Sequence, residues 1–214
     1  MASHELGDAP VRTNEEWANA LTHGLAAFAT LLLGWWLVSH AAAQERGLAI
    51  SCGLYLLSVF ATFSCSTLSH AILRQPLLDT FRAWDQAMIY AMISGTYTPI
   101  IYGYAAPGTR DPLLIAIWVA AFAGIAGKLL LRHRVKNNAT VRYLMKGWLP
   151  AIPLYGQVPS GLGWGMLAGG VLYTLGVVVL LNDSRLRYLH AVWHLFVISA
   201  AATHYFAISW YVVG

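Results

Sequence analysis

Charge is what this chain has least of. Asp, Glu, Lys and Arg make up 10% of its 214 residues, where a soluble globular domain carries about 25%. With 58% hydrophobic residues, that balance excludes an ordinary soluble domain and points to an integral membrane protein. Cysteine is nearly absent, with only Cys52 and Cys65 present. Both fall in one apolar run, roughly 20 Å apart along a helix. That excludes a disulfide between them, and neither supports a cysteine-rich zinc site; they read as small buried side chains. The start, "MASHELGDAPVRTNEEW", lacks a basic segment ahead of an apolar stretch, so no cleavable signal peptide is expected. Residues 1–15 read as a short polar cytoplasmic tail and 16–214 as the membrane domain. There is no convincing long-period repeat and no low-complexity tract.

What is present is apolar sequence in blocks. Runs cover residues 17–40, 48–72, 84–104, 112–131, 143–158, 164–181 and 189–212. Six are long enough to span at the ~20 residues a helix needs. The fifth is short and holds three prolines, so it reads as a spanning but broken helix, or else as a re-entrant segment. The predicted fold is all-α, a polytopic bundle of seven transmembrane helices. Nine Trp and eleven Tyr suit the headgroup level of a bilayer.

The formal charge of +4 does not indicate nucleic acid, because the cations lie between apolar runs and form no stripe. With seven spans, Arg12, Arg74, Arg82, Arg132, Arg134, Lys136, Arg142, Arg185 and Arg187 share one side, and Arg46 and Arg110 take the other. Lys128 and Lys146 lie in helix ends on the first side. The positive-inside rule then puts the amino terminus in the cytoplasm and the carboxyl terminus outside, in a multi-pass cell-membrane protein. In the sixth run Gly165, Gly169 and Gly176 recur at helical spacing, which lets neighbouring backbones approach.

Ionisable residues inside spanning segments mark functional sites by default, and here they converge at one depth. His190 and His194 are spaced i, i+4, so both rings leave one face of the seventh helix. His70 ends the second helix at the same level, with Ser66 one turn above it. Asp85 opens the third. Glu16, Asn19 and His23 share a face at the start of the first, and Arg82 lies one turn before Asp85. A lone intramembrane His is more often a packing residue than a ligand; four converging helices favour a metal site. Three histidines with one open position match catalytic zinc, which lowers the pKa of water at neutral pH. His70, His190 and His194 are the candidate ligands. Asp85 is the candidate general base, and Ser66 a hydrogen-bonding partner for water or an oxyanion. Glu16, Asn19, His23 and Arg82 are candidate supporting residues. His204 lies about 15 Å further along its helix than His194, too deep for the same ion. It is assigned an interhelical hydrogen bond, or else a relay or substrate contact.

The ordered motifs "EEWANALTHG", "STLSHAILR", "RAWDQAMIY", "SGTYTPI", "KGWLP", "GGVLYTLG" and "HAVWHLFVISAAATHYF" resemble those of the hemolysin III-like bacterial members of the progestin and adipoQ receptor family. The resemblance covers nearly the whole chain. It implies seven helices, a cytoplasmic amino terminus, and zinc held by one His of the second helix and two of the seventh. Those positions are His70, His190 and His194, with Ser66 and Asp85 beside them. The wider superfamily contains alkaline ceramidases, which implies hydrolysis of a lipid amide or control of membrane lipid composition. Two positions depart from the common pattern: Ser69 stands where Tyr is usual and Gln86 where His is frequent. The family name implies haemolysis, but no amphipathic insertion segment is visible.

Three function classes follow. The first is a zinc hydrolase of small lipid amides or esters, with membrane lipids as partners. The second is a receptor-like sensor with structural zinc, and the third an ion or proton transporter using the polar layer and His204.

Overall fold

A computed structural model describes residues 13–131 and 138–214. Arg12, Arg132, Arg134 and Lys136 of the charge count lie outside the described residues, as does most of the 1–15 tail. The helices are α1 (Thr13–Gln44), α2 (Arg46–Ala71), α3 (Leu77–Tyr104), α4 (Pro107–Leu131), α5 (Asn138–Trp148), α6 (Ala151–Leu154), α7 (Ser160–Leu180) and α8 (Leu189–Ile208). A π-helical turn over Ser209–Val213 closes the chain. Among the described residues there is no strand, so the fold is the expected all-α bundle.

Five of these helices, α1, α2, α4, α7 and α8 with its π turn, are long and apolar enough to cross a membrane. Their outward faces are greasy: Leu25, Phe28 and Trp35 on α1, and Ile115, Val119 and Phe122 on α4, are all exposed. In a bilayer that exposure costs nothing, because lipid tails are as apolar as Leu. At 28 residues, α3 is about 42 Å long, ample for a ~30 Å hydrocarbon core. It is more polar because it is the central helix, packed on α2, α4 and α8. Its hydroxyls face protein: Ser94 Oγ donates to the Ile117 carbonyl at 2.7 Å, and Trp118 Nε1 donates to Thr98 Oγ1 at 3.1 Å.

The proline-rich fifth run is broken. Helix α5 stops at Trp148, Leu149 and Pro150 form a turn, and the single turn α6 follows. Pro150 has no N–H with which to continue the ladder. Just before the break, Lys146 Nζ donates to Ser94 Oγ and to the Ile117 carbonyl, both at 2.8 Å, tying α5 to α3 and α4.

Close packing of α7 on α8 depends on the glycine stripe. A Cβ at Gly165, Gly169 or Gly176 would lie 2.6 Å from Ala207 Cβ, 2.2 Å from His204 Nε2 or 2.8 Å from Phe196 Cβ. Both cysteines are free. The connections α1–α2 and α2–α3 are short, so these helices run antiparallel. The starts of α1 and α3 therefore meet the end of α2, and α8 also begins at that level.

Candidate metal centre

His70, His190 and His194 each bring one ring nitrogen within 4.8 Å of the others. Their ring centroids stand 4.8, 5.1 and 5.1 Å apart. The i, i+4 spacing on α8 supplies two of the rings, and the last turn of α2 supplies the third. Every Nδ1 is engaged away from the cluster. That of His70 meets Glu16 Oε2 at 2.5 Å, that of His190 meets Asp183 Oδ2 at 2.9 Å, and that of His194 meets the Asn19 carbonyl at 3.2 Å and Thr22 Oγ1 at 3.0 Å. Carboxylate and carbonyl oxygens only accept, so each Nδ1 carries the proton. Nε2 of each ring is then a lone pair, and that of His70 is buried without a partner. A buried lone pair with no donor is unfavourable, and the other two rings converge on it. A cation satisfies all three, in the oxygen–histidine–metal arrangement that fixes ring orientation. The donor set thus fits a transition-metal ion that takes imidazole ligands.

The flanking residues divide by what they touch. Glu16 holds His70 directly, and Arg82 lies 3.8 Å from the other oxygen of Glu16. Asn19 contributes its backbone carbonyl and not its side chain, whose Oδ1 is buried and unpaired. His23 stacks on His194 with centroids 3.7 Å apart, and its Nδ1 pairs with Ser66 Oγ at 2.8 Å. Ser66 is therefore already bonded within the protein. Asp85 is partly buried across from the histidines and accepts from Ser69 Oγ at 3.2 Å. His204 is remote from this group. Its Nε2 donates to the Met166 carbonyl of α7 at 3.3 Å, and its Nδ1 is buried without a partner.

Three supporting residues escaped the sequence reading: Asp183, Thr22 and Ser69. Thr22 was accessible in principle, since it shares a helix face with Asn19. Ser69 stood out only as a departure from the family pattern. Asp183 sits in the loop before α8, and no periodicity points a loop carboxylate at a helix.

A cavity of about 1700 Å³ opens beside the centre. His190, His194, Ser66 and Asp85 line one end, and His204 and Tyr173 lie further along it. The intervening wall is largely apolar, with Met92, Met166 and Val197.

A helical multi-pass membrane protein with three histidines and an aspartate gathered at one end of an apolar cavity is the class these features define. The chain belongs to the haemolysin-III-related family, whose model matches residues 11–205. It is 34% identical over 204 residues to Hemolysin-3 of Bacillus cereus, covering 93% of this chain and 92% of that one. It is 33% identical to the Hemolysin-3 homolog of Bacillus subtilis (strain 168), covering 93% and 95%. The human monocyte to macrophage differentiation factor is 29% identical over 199 residues, covering 91% and 83%.

Proposed function

We propose that this protein is a zinc-dependent intramembrane hydrolase of a lipid amide or ester, through which the cell adjusts its membrane lipids. The observation that carries the reading is the cluster of three histidine ring nitrogens within 4.8 Å of one another, with His190, His194 and Asp85 on the wall of one cavity. His70, His190 and His194 would hold the ion, with Glu16, Asp183 and the Asn19 carbonyl keeping each ring in the ligating tautomer. Zinc bound there supplies Lewis acidity at neutral pH. Asp85, steadied by Ser69, orients a water and takes its proton as the water oxygen adds to the acyl carbon. The bond from that carbon to nitrogen or oxygen then breaks, and the leaving group departs with the proton from Asp85. The apolar cavity holds the chains and keeps bulk water out. The same reading includes seven crossings, with the amino terminus and this site on the cytoplasmic side.

The test is metal analysis and a lipid hydrolysis screen on one detergent-purified sample. About one zinc per chain is expected, absent from the His190→Ala, His194→Ala double variant. Asp85→Asn should keep the zinc and lose turnover. Wild-type protein without zinc sinks the reading. Zinc without turnover on any amide or ester, combined with loss of thermal stability in the histidine variants, favours the sensor with structural zinc.

A further inference from the structure

The cavity wall built by α4 carries a cation, Lys128, whose hydrogen-bond and ring partners among the described residues are neutral. From Pro112 to Asn182 the sequence contains no Asp or Glu. After Asp111, at the far end of α4, helices α4 to α7 therefore offer no carboxylate. Two cations nonetheless flank Tyr143: Lys128 of α4, whose Nζ lies over the ring, and Arg142, its chain neighbour on α5. Lys128 is half-buried and lines the cavity. Its Nζ donates to Gln86 Oε1 at 2.7 Å and lies 5.8 Å from the Tyr143 ring, and both of these partners are neutral. Arg142 repels it as a like charge.

The carboxylates at this end are engaged elsewhere. Glu16 is held by His70 and Arg82, Asp183 by His190, Glu15 by Arg187 and Asp85 by Ser69, and Asp79 has contacts of its own. A partly desolvated cation beside another cation is unfavourable unless an anion joins them. Gln86 fixes where that anion would stand. Its side chain holds Lys128, its carbonyl accepts from Tyr143 Oη at 2.8 Å, and its chain neighbour is Asp85. A charge-assisted bond at Lys128 would therefore form one residue away from the proposed base.

We propose that Lys128 and Arg142 bind the phosphate of a phospholipid, placing its acyl linkage at Asp85 and its chains along the apolar cavity. This rests on the hydrolase reading and names its substrate class: a phosphate-bearing lipid, in preference to a neutral ceramide or diacylglycerol.

The experiment is native mass spectrometry of the detergent-purified full chain with phosphatidylglycerol, with diacylglycerol of the same acyl chains, and with inorganic phosphate alone. Phosphatidylglycerol should bind in preference to diacylglycerol. Lys128→Gln should lower phosphatidylglycerol occupancy roughly tenfold, while Lys128→Arg retains it and diacylglycerol responds to neither change. Arg142→Gln, at an exposed position, should act in the same direction without burdening the fold. Arg185→Gln, in the loop before α8, should change nothing. Unchanged phosphatidylglycerol occupancy in Lys128→Gln and Arg142→Gln overturns the proposal. So does an equal loss in Arg185→Gln, which reports only general attraction to the surface. Inorganic phosphate that binds through Lys128 where phosphatidylglycerol does not bind removes the lipid from the site. Turnover is scored separately: Lys128-dependent binding without hydrolysis overturns the hydrolase reading and leaves the phosphate contact standing.

Discussion

At the scale of single residues, the centre is a problem in proton placement. Each candidate ligand is useful only if its second nitrogen is held by an acceptor, and each acceptor differs: a half-buried glutamate, a loop aspartate and a backbone carbonyl. Removing one of these should weaken the metal without removing a ligand. Glu16→Gln and Asp183→Asn are each expected to lower zinc affinity by roughly 10–100-fold, read by competition with a chelator; unchanged affinity would show that the rings are set by packing alone. A second residue-scale test concerns Gly169. Its missing Cβ leaves room for the His204 ring, which would otherwise be met at 2.2 Å. Gly169→Ala should lower stability by about 1–3 kcal/mol in thermal melts. Combining it with His204→Ala should recover much of the loss, because the two share one contact. Additive losses would refute that account.

At the scale of elements, the informative piece is the broken helix. A proline-interrupted segment cannot satisfy its own backbone through the break, so it depends on neighbours. Lys146 provides one such tie, reaching Ser94 on α3 and the Ile117 carbonyl on α4. Losing an acceptor should do more harm than losing the cation. Ser94→Ala leaves a half-buried ammonium with one of these two partners, at a cost of about 1–3 kcal/mol. Lys146→Met removes the charge itself and replaces it with a flexible apolar chain, which is often close to neutral. Thermal unfolding in one detergent should therefore rank Ser94→Ala below Lys146→Met. The reverse order would mean that the ammonium is a net source of stability. The α7–α8 pair works differently, holding together through close approach along glycine, with no charge needed.

At the scale of the whole molecule, antiparallel packing brings chemistry from distant stretches of chain to one level. Residues from α1, α2, α3 and α8 and one loop meet there, and the cavity leads away from them. The charge distribution predicts that this level is cytoplasmic. With Cys52 and Cys65 replaced, a single cysteine at Arg185 should be labelled by an impermeant reagent only in opened cells, and one at Asp111 in intact cells. Labelling of both in intact cells would contradict the seven-span topology.

Much of this was legible in the sequence, for a physical reason. Hydrocarbon tolerates few charges, so the positions of His70, Asp85, His190 and His194 stand out against apolar runs, and helical periodicity alone puts two rings on one face. The apolar blocks, the glycine stripe and the prolines that break the fifth run follow equally from local chemistry. Tertiary structure alone decided which atom of each residue does the work. It showed that Asn19 meets His194 through its backbone carbonyl, that Ser66 is already bonded to His23, and that Asp183 reaches His190 from a loop. Such contacts depend on how helices are rotated against one another and where a loop closes, and no pattern of residue types along one chain encodes those rotations.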